Sequence, residues 1–311
     1  MTGFHPWRHR FGVLTALCTL ALIFIGGLVT STGSGLAVPD WPLSYGMLMP
    51  PMVGGVFYEH GHRMAASFVG FLTLVLAIWT WRSESRPRVR RLAWLALAAV
   101  IAQGVLGGLT VLYLLPTPIS VTHACLAQTF LCLTVGLAYG TSREWLRDTP
   151  RVVDSAGVRT AAFTAAAVVY TQLILGALMR HTGAGLAIPD FPLAFGRVLP
   201  PLDDGRVAIH FAHRLGALAV LAAMARLWWT CAASRQRRFL ALGSALFALV
   251  PLQVTLGAFT VLSGKAVLPT TAHVATGAAI LAGTFLTALR AWRTLEPAQA
   301  QAVPAAVPAR S

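Results

Sequence analysis

Charge is what this sequence has least of. Asp, Glu, Lys and Arg make up 11% of its 311 residues, 56% are apolar, and the mean hydropathy of +0.69 is far above that of ordinary soluble domains. A soluble fold is excluded on that ground, and the chain reads as an integral membrane protein. Acid is scarcer still, with 10 Asp and Glu against 24 Lys and Arg, a net charge of +14. Such an excess of base can mark a nucleic-acid partner, but here the placement of the arginines argues against one. Cysteine is also sparse. Cys18, Cys125, Cys132 and Cys231 all lie within or at the ends of apolar runs, so no exported disulfide is expected. No clear small-residue cleavage pattern follows the first apolar run, which is expected to stay as an anchor.

Apolar stretches of roughly 20 residues, enough to span a bilayer, occur at about 11–31, 60–82, 92–113, 119–140, 159–179, 208–230, 239–262 and 270–290. In an eight-span frame the arginines from Arg8 to Arg10, Arg82 to Arg91, Arg143 to Arg159, Arg226 to Arg238 and Arg290 to Arg310 fall on one side. The other side keeps Arg180, Arg197, Arg206 and Lys265 in its loops, with Arg63 and Arg214 at helix starts. The positive-inside rule makes the rich side cytoplasmic. Both termini are therefore expected in the cytoplasm, in a multi-pass protein of the inner (plasma) membrane, and basicity reports topology rather than nucleic acid.

The chain is written twice. "STGSGLAVPDWPLSYG" from Ser31 returns as "HTGAGLAIPDFPLAFG" from His181, and "QGVLGGLTVL" from Gln103 returns as "QVTLGAFTVL" from Gln253, 253 − 103 = 150 residues on. Each copy carries four spans. Four is even, so both copies enter from the same side, and the expected fold is all-α: two parallel-repeat four-helix bundles related by a pseudo-twofold along the membrane normal. Residues 1–150 form the first half, 151–295 the second, and 296–311, rich in Pro and Ala, a disordered tail. Gly33, Gly35, Pro39 and Pro42 account for the bent shape of the repeated loop. They do not account for Trp41, Leu43 and Tyr45, matched by Phe191, Leu193 and Phe195, which are expected to pack down as lids on each half.

Spans two, four, six and eight each carry a histidine near the outer end at matched places: His62, His123, His213 and His273. A lone intramembrane histidine is commonly a packing residue. Four at matched places in a duplicated frame point instead to paired imidazoles that hold haem iron from both sides. Arg63 and Arg214 follow two of these histidines directly, placed to meet haem propionates or to snorkel to the interface. Gly104, Gly107, Gly108 and Gly257 open room for a flat ring. The halves differ at one telling place: Glu59, one helical turn before His62, is matched by His210 before His213. A carboxylate beside only one of two haem sites reads as a proton acceptor next to a reacting group.

These residues together resemble a family, the haem A synthases, which convert haem O to haem A for haem-copper oxidases. The resemblance covers roughly residues 10–293. It rests on "GSGLAVPDWPLSYG", the E-x-x-H-R at Glu59, His62 and Arg63, the lone His123 and His273, the H-R at His213, and both Q-x-x-L-G-x-x-T-V-type motifs. It implies that His213 and His273 hold a resident haem b, that His62 and His123 face the substrate haem O, and that Glu59 is the catalytic carboxylate. The implied reaction oxidises the porphyrin C8 methyl to a formyl group through a hydroxylated intermediate, with oxygen from water and electrons passed to an unidentified acceptor. Haem O synthase and haem-copper oxidase assembly factors are the implied partners within the bilayer. Many bacterial members carry a cysteine pair in the first outer loop; the corresponding places here are Val38 and Ser44. Two other readings compete: a di-haem b-type electron carrier linked to quinone, which would need the same histidines, and a transporter with parallel repeats, which would need broken helices at mid-membrane.

Overall fold

The computed structural model describes residues 4–147 and 151–297. Eight of its helices are long and apolar enough to cross a membrane. They are α1 (Pro6–Ser31), α2 (Gly55–Ser83), α3 (Pro87–Leu112), α4 (Thr117–Gly140), α6 (Val158–His181), α7 (Gly205–Ala233), α8 (Arg237–Leu262) and α9 (Val267–Thr294), with the one-turn α5 (Arg143–Leu146) after α4. Helices satisfy every interior backbone group without water, which is what a hydrocarbon surrounding demands. Pro251 lies inside α8 without ending it.

All eight expected spans are present, and each helix starts before its apolar run does. α2 begins at Gly55 rather than near 60, and α3 at Pro87 rather than near 92. Prolines in the first turn of α1, α3 and α4 start those helices within polar sequence. The earlier starts put the four histidines deeper than the first turn. His62 is 62 − 55 = 7 residues into α2, His123 is 6 into α4, His213 is 8 into α7 and His273 is 6 into α9. At 1.5 Å per residue that is roughly 10 Å below each helix start.

Neighbouring helices pack in two rings. α1 touches α2 and α4, and α3 touches α2 and α4; α6, α7, α8 and α9 close in the same order. The rings meet where α1 packs on α9 and where α4 packs on α6 and α9. Small residues let the backbones approach: Ala93, Ala96, Ala161, Ala162, Ala165 and Ala288 are almost fully buried. Buried threonines return their hydroxyls to their own helix, as Thr19 does to the Thr15 carbonyl at 2.8 Å and Thr73 to the Val69 carbonyl at 2.8 Å.

Two polar seams bind the assembly. On the basic face the Glu84 carboxylate, buried just past α2, is shared between Arg8 at 2.9 Å and Arg86 at 2.8 Å. Burial pushes the Glu84 pKa up, but hydrogen bonds and charge from Arg86, with Arg8 adding to them, hold it below its ordinary value. Between the halves, Arg180 lies in the last turn of α6 and not in a loop. It donates to the Gly27 carbonyl at 3.3 Å and to Ser31 Oγ at 3.0 Å, and Thr271 bonds Ser31 in turn at 3.1 Å. The start of the expected tail is also ordered. Leu295–Pro297 (β2) pairs in parallel with Val152–Asp154 (β1), tying the end of α9 to the connection between halves. The rest of that tail lies outside the described residues.

Candidate functional site

Each of the four histidines sits against a glycine of the preceding helix. A Cβ on Gly26 (α1) would stand 3.0 Å from Cε1 of His62, on Gly107 (α3) 3.2 Å from that of His123, on Gly176 (α6) 3.1 Å from that of His213, and on Gly257 (α8) 3.0 Å from that of His273. Gly107 and Gly257, expected from sequence to make room for a ring, thus make room for the imidazoles themselves. Gly108 lies under the indole of Trp41, and Gly104 has nothing within 4 Å. A second element of the seat escaped the sequence reading. Gln103, Gln172 and Gln253, each one turn before its glycine, donate their amide nitrogens to the backbone carbonyls of His123, His213 and His273 at 2.9, 2.8 and 3.0 Å. A Q-x-x-x-G spacing recurring in three helices was the available signal. In α1 the same place is Leu22, so His62 alone has no glutamine.

The two pairs differ in how their rings are held. In the second half the ring centres of His213 and His273 are 6.4 Å apart. His273 donates from Nδ1 to the Gln253 carbonyl at 3.0 Å, and the Gln172 amide lies 3.2 Å from Nδ1 of His213. In the first half Nδ1 of His62 and Nδ1 of His123 are both buried without a partner. Metal-bound histidines are normally oriented through the nitrogen that does not bind. By that measure His273 is prepared, through the Gln253 carbonyl, and neither histidine of the first half is.

What these pairs can hold follows from ligand number. Among the described residues no group of three or more His, Cys, Asp or Glu side chains gathers as a metal site. A bare ion such as zinc takes three or four protein ligands, whereas haem iron brings four nitrogens of its own and needs one or two axial side chains. A metal–imidazole bond of about 2 Å, with about 1 Å more to each ring centre, puts two imidazoles on one iron ~6 Å apart. The 6.4 Å separation fits a haem held by His213 and His273.

The loops over the two sites are built alike. Asp40 accepts from the backbone N–H groups of Tyr45 and Gly46, and Asp190 from those of Phe195 and Gly196. The Gly46 donor, with Tyr45 and the charge of Arg63 behind it, holds the Asp40 carboxyl below its ordinary value although desolvation opposes it. Tyr45 and Phe195 lie in the left-handed region, at φ 54° and 55°, a conformation these bonds keep in place. The loops are anchored through Val38 and Ile188, fully buried, and through Ser44 and Ala194; Trp41, Tyr45 and Phe195 stay more than a third exposed, so the aromatic residues cover less than expected.

Arg63 and Arg214, expected to face haem propionates or the interface, are engaged by these loops. Arg214 donates to the carbonyls of Ile188, Asp190 and Leu193, and Arg63 to the matching carbonyls of Val38, Asp40 and Leu43. Arg63 alone reaches a carboxylate, Oε1 of Glu59 at 2.6 Å. Glu59 is only 4% exposed, and its other oxygen accepts the Val38 N–H at 2.8 Å. In the second half Nδ1 of His210 takes that place, accepting the Ile188 N–H at 3.2 Å. One scaffold therefore carries a buried carboxylate in the half of His62 and His123 and none at the matching place in the half of His213 and His273.

This arrangement of loops, arginines and histidines agrees with sequence comparison. The profile of the family described as cytochrome oxidase assembly protein, COX15-CtaA, matches residues 9–55 and 53–286. The chain belongs to the COX15-CtaA family. Relatives in the family include the heme A synthase of Symbiobacterium thermophilum, 36% identical over 252 residues that cover 78% of this chain and 82% of that protein. The heme A synthase of Halalkalibacterium halodurans is 32% identical over 73% of this chain and 77% of its own length, and that of Shouchella clausii 31% identical over 85% and 90%. The COX15-CtaA match takes in both loops and all four histidines, and with them both halves of the duplication.

Proposed function

We infer that this protein is a haem A synthase, a membrane oxidoreductase that converts haem O to haem A. The observation that carries the assignment of its parts is the asymmetry between two otherwise matched sites. His213 and His273, both seated on glycines and the second oriented at Nδ1 by the Gln253 carbonyl, are the ligands of a resident haem b; bound there, that group supplies a one-electron carrier. His62 and His123, seated but not oriented, receive haem O, which has to enter and leave as haem A. An electron carrier with two permanent haems would have reason to hold both pairs alike.

Conversion of the C8 methyl to a formyl group through its alcohol takes oxygen from water and releases two electron pairs and their protons, the electrons passing to an acceptor outside this chain. Glu59 takes the proton from the attacking water. Its carboxylate is held by the Val38 N–H and Arg63, so it is oriented before the substrate arrives. The loop from Ser31 to Gly46, clamped to α2 by Arg63 through the carbonyls of Val38, Asp40 and Leu43, holds the Val38 N–H against that carboxylate. The face that carries Glu84, Arg86 and Arg290 is the cytoplasmic one, with both termini on it, and the membrane is the plasma (inner) membrane. Haem O synthase on the supply side and oxidase assembly factors on the delivery side are the partners this chemistry calls for.

The test is direct. Purified protein supplied with haem O and an oxidant should yield extractable haem A and retain haem b; two permanent b-type haems and no haem A would refute the assignment.

A further inference from the structure

Arg63 makes one more contact that Arg214 does not: its Nη1 lies 3.4 Å from Ser44 Oγ. Ser44 is 1% exposed, and its hydroxyl is hydrogen-bonded to Nδ1 of His60 at 2.8 Å. His60 is itself 6% exposed, and its Nε2 is buried without a partner. A polar chain therefore runs from Glu59 through Arg63 and Ser44 to His60. In the second half the matching residues are His210, Arg214, Ala194 and Phe211, and the chain is cut at its last two members.

The comparison separates two jobs. The three loop carbonyls are held by both arginines, so clamping the loop does not require Ser44 or His60. What the first half adds around this arginine is Glu59, Ser44 and His60: Glu59 and Ser44 contact Arg63, and His60 reaches it through Ser44. Burying a serine hydroxyl and an imidazole at this depth is costly unless they are paired, and a matched apolar pair, Ala194 and Phe211, closes the same space in the second half. The long Arg63 side chain has several loop acceptors within reach. A fixed hydroxyl on its Nη1 side selects the rotamer in which Nη2 meets Glu59.

Resting on the reading of Glu59 as the catalytic carboxylate, we propose that His60 and Ser44 are positioning residues for it: the His60–Ser44 hydrogen bond fixes the Arg63 guanidinium, and the guanidinium fixes the carboxylate.

Ser44→Ala and His60→Phe each introduce one member of the Ala194–Phe211 pair that already packs in the second half, and the double variant rebuilds that pair, so its loop should fold. Each should lower turnover of haem O about 10- to 100-fold, the scale of a misplaced catalytic group, with KM and the second-half haem spectrum unchanged. Because both residues act by one route, the double variant should lose no more than the worse single one. His60→Asn, which keeps a hydrogen-bonding group near Nδ1, should recover most of the turnover. Independently of turnover, the infrared band of the Glu59 carboxylate, isolated by subtraction of the Glu59→Gln spectrum, should shift in Ser44→Ala and His60→Phe.

Wild-type turnover and an unmoved carboxylate band in the double variant would overturn the proposal, as would additive losses or equal losses in His60→Asn and His60→Phe. Normal haem A formation in Glu59→Gln would instead remove the reading on which the proposal rests. Loss in Glu59→Gln with none in the double variant removes the proposal alone.

Discussion

Adding one methyl group at Gly257 tests whether His273 holds a haem in the geometry described. An alanine Cβ there would stand 3.0 Å from Cε1 of His273 and 3.3 Å from Nδ1. Carbon atoms prefer about 3.5–4.0 Å, so the imidazole has to retreat by roughly 0.5–1 Å. Overpacking of this size costs about 1–3 kcal/mol. The retreat also loads the 3.0 Å bond from His273 Nδ1 to the Gln253 carbonyl, which orients the ring. If the strain falls on the metal bond, haem affinity drops by about 10- to 100-fold, since each ~1.4 kcal/mol is tenfold. Helix propensity works the other way, as Ala is about 1 kcal/mol better than Gly in a helix, so loss of haem cannot be charged to a weakened α8. The assay is the haem-to-protein ratio and the reduced-minus-oxidised spectrum of purified protein. Gly104→Ala, with no atom within 4 Å of its Cβ, is the control and should be silent. A Gly257→Ala protein with full haem and an unaltered low-spin spectrum would refute the seat.

Alanine at His213 or His273 should abolish or severely alter the haem b spectrum, while alanine at His181 or His210 should perturb it less; retention of the native spectrum in both ligand variants would remove the assignment. Glu84→Gln leaves Arg8, with a side chain 2% exposed, buried without its anion, and breaking such a pair costs about 3–5 kcal/mol. Thermal unfolding in detergent should show that loss, and an unchanged midpoint would contradict it. Asp40 has its carboxyl held below the ordinary 3.8, so its hold on the loop is complete above that value and is lost as pH falls further. The Trp41 fluorescence, taken by difference from Trp41→Phe, should stay constant from about pH 7 to 5 and change only below 3.8; a transition near neutrality would contradict the loop geometry.

Much of this was legible in the sequence because the duplication marks its own landmarks. The eight spans follow from hydropathy, and the four histidines and Glu59 from lining up the copies. Helix starts were not legible, since hydropathy alone begins α2 near residue 60 whereas the helix begins at Gly55, in polar sequence whose Glu59 and His60 are satisfied by Val38 and Ser44. The placement of Arg63 and Arg214 escaped for a related reason: a guanidinium beside a histidine has the same sequence whether it meets a propionate or a loop carbonyl, and only the folded loop brings those carbonyls within 3.3 Å. Gln172 was missed because its partner glycine, Gly176, lies in a helix whose first-half counterpart has Leu22. Ser44 and His60 were missed because the matched Ala194 and Phe211 make them look like ordinary drift until the contacts join them.

The central claim is that the first half does chemistry and the second half serves it, and Glu59→Gln tests that claim most directly. The substitution keeps size and hydrogen-bonding capacity and removes the base. A positioned base is worth about 10²- to 10⁴-fold in rate, so haem A formation from supplied haem O should fall by that factor with the haem b of the second half intact. Haem O, the alcohol and haem A are measured together in the extract. Unconverted haem O is the predicted result, and haem A at the wild-type level would contradict the account.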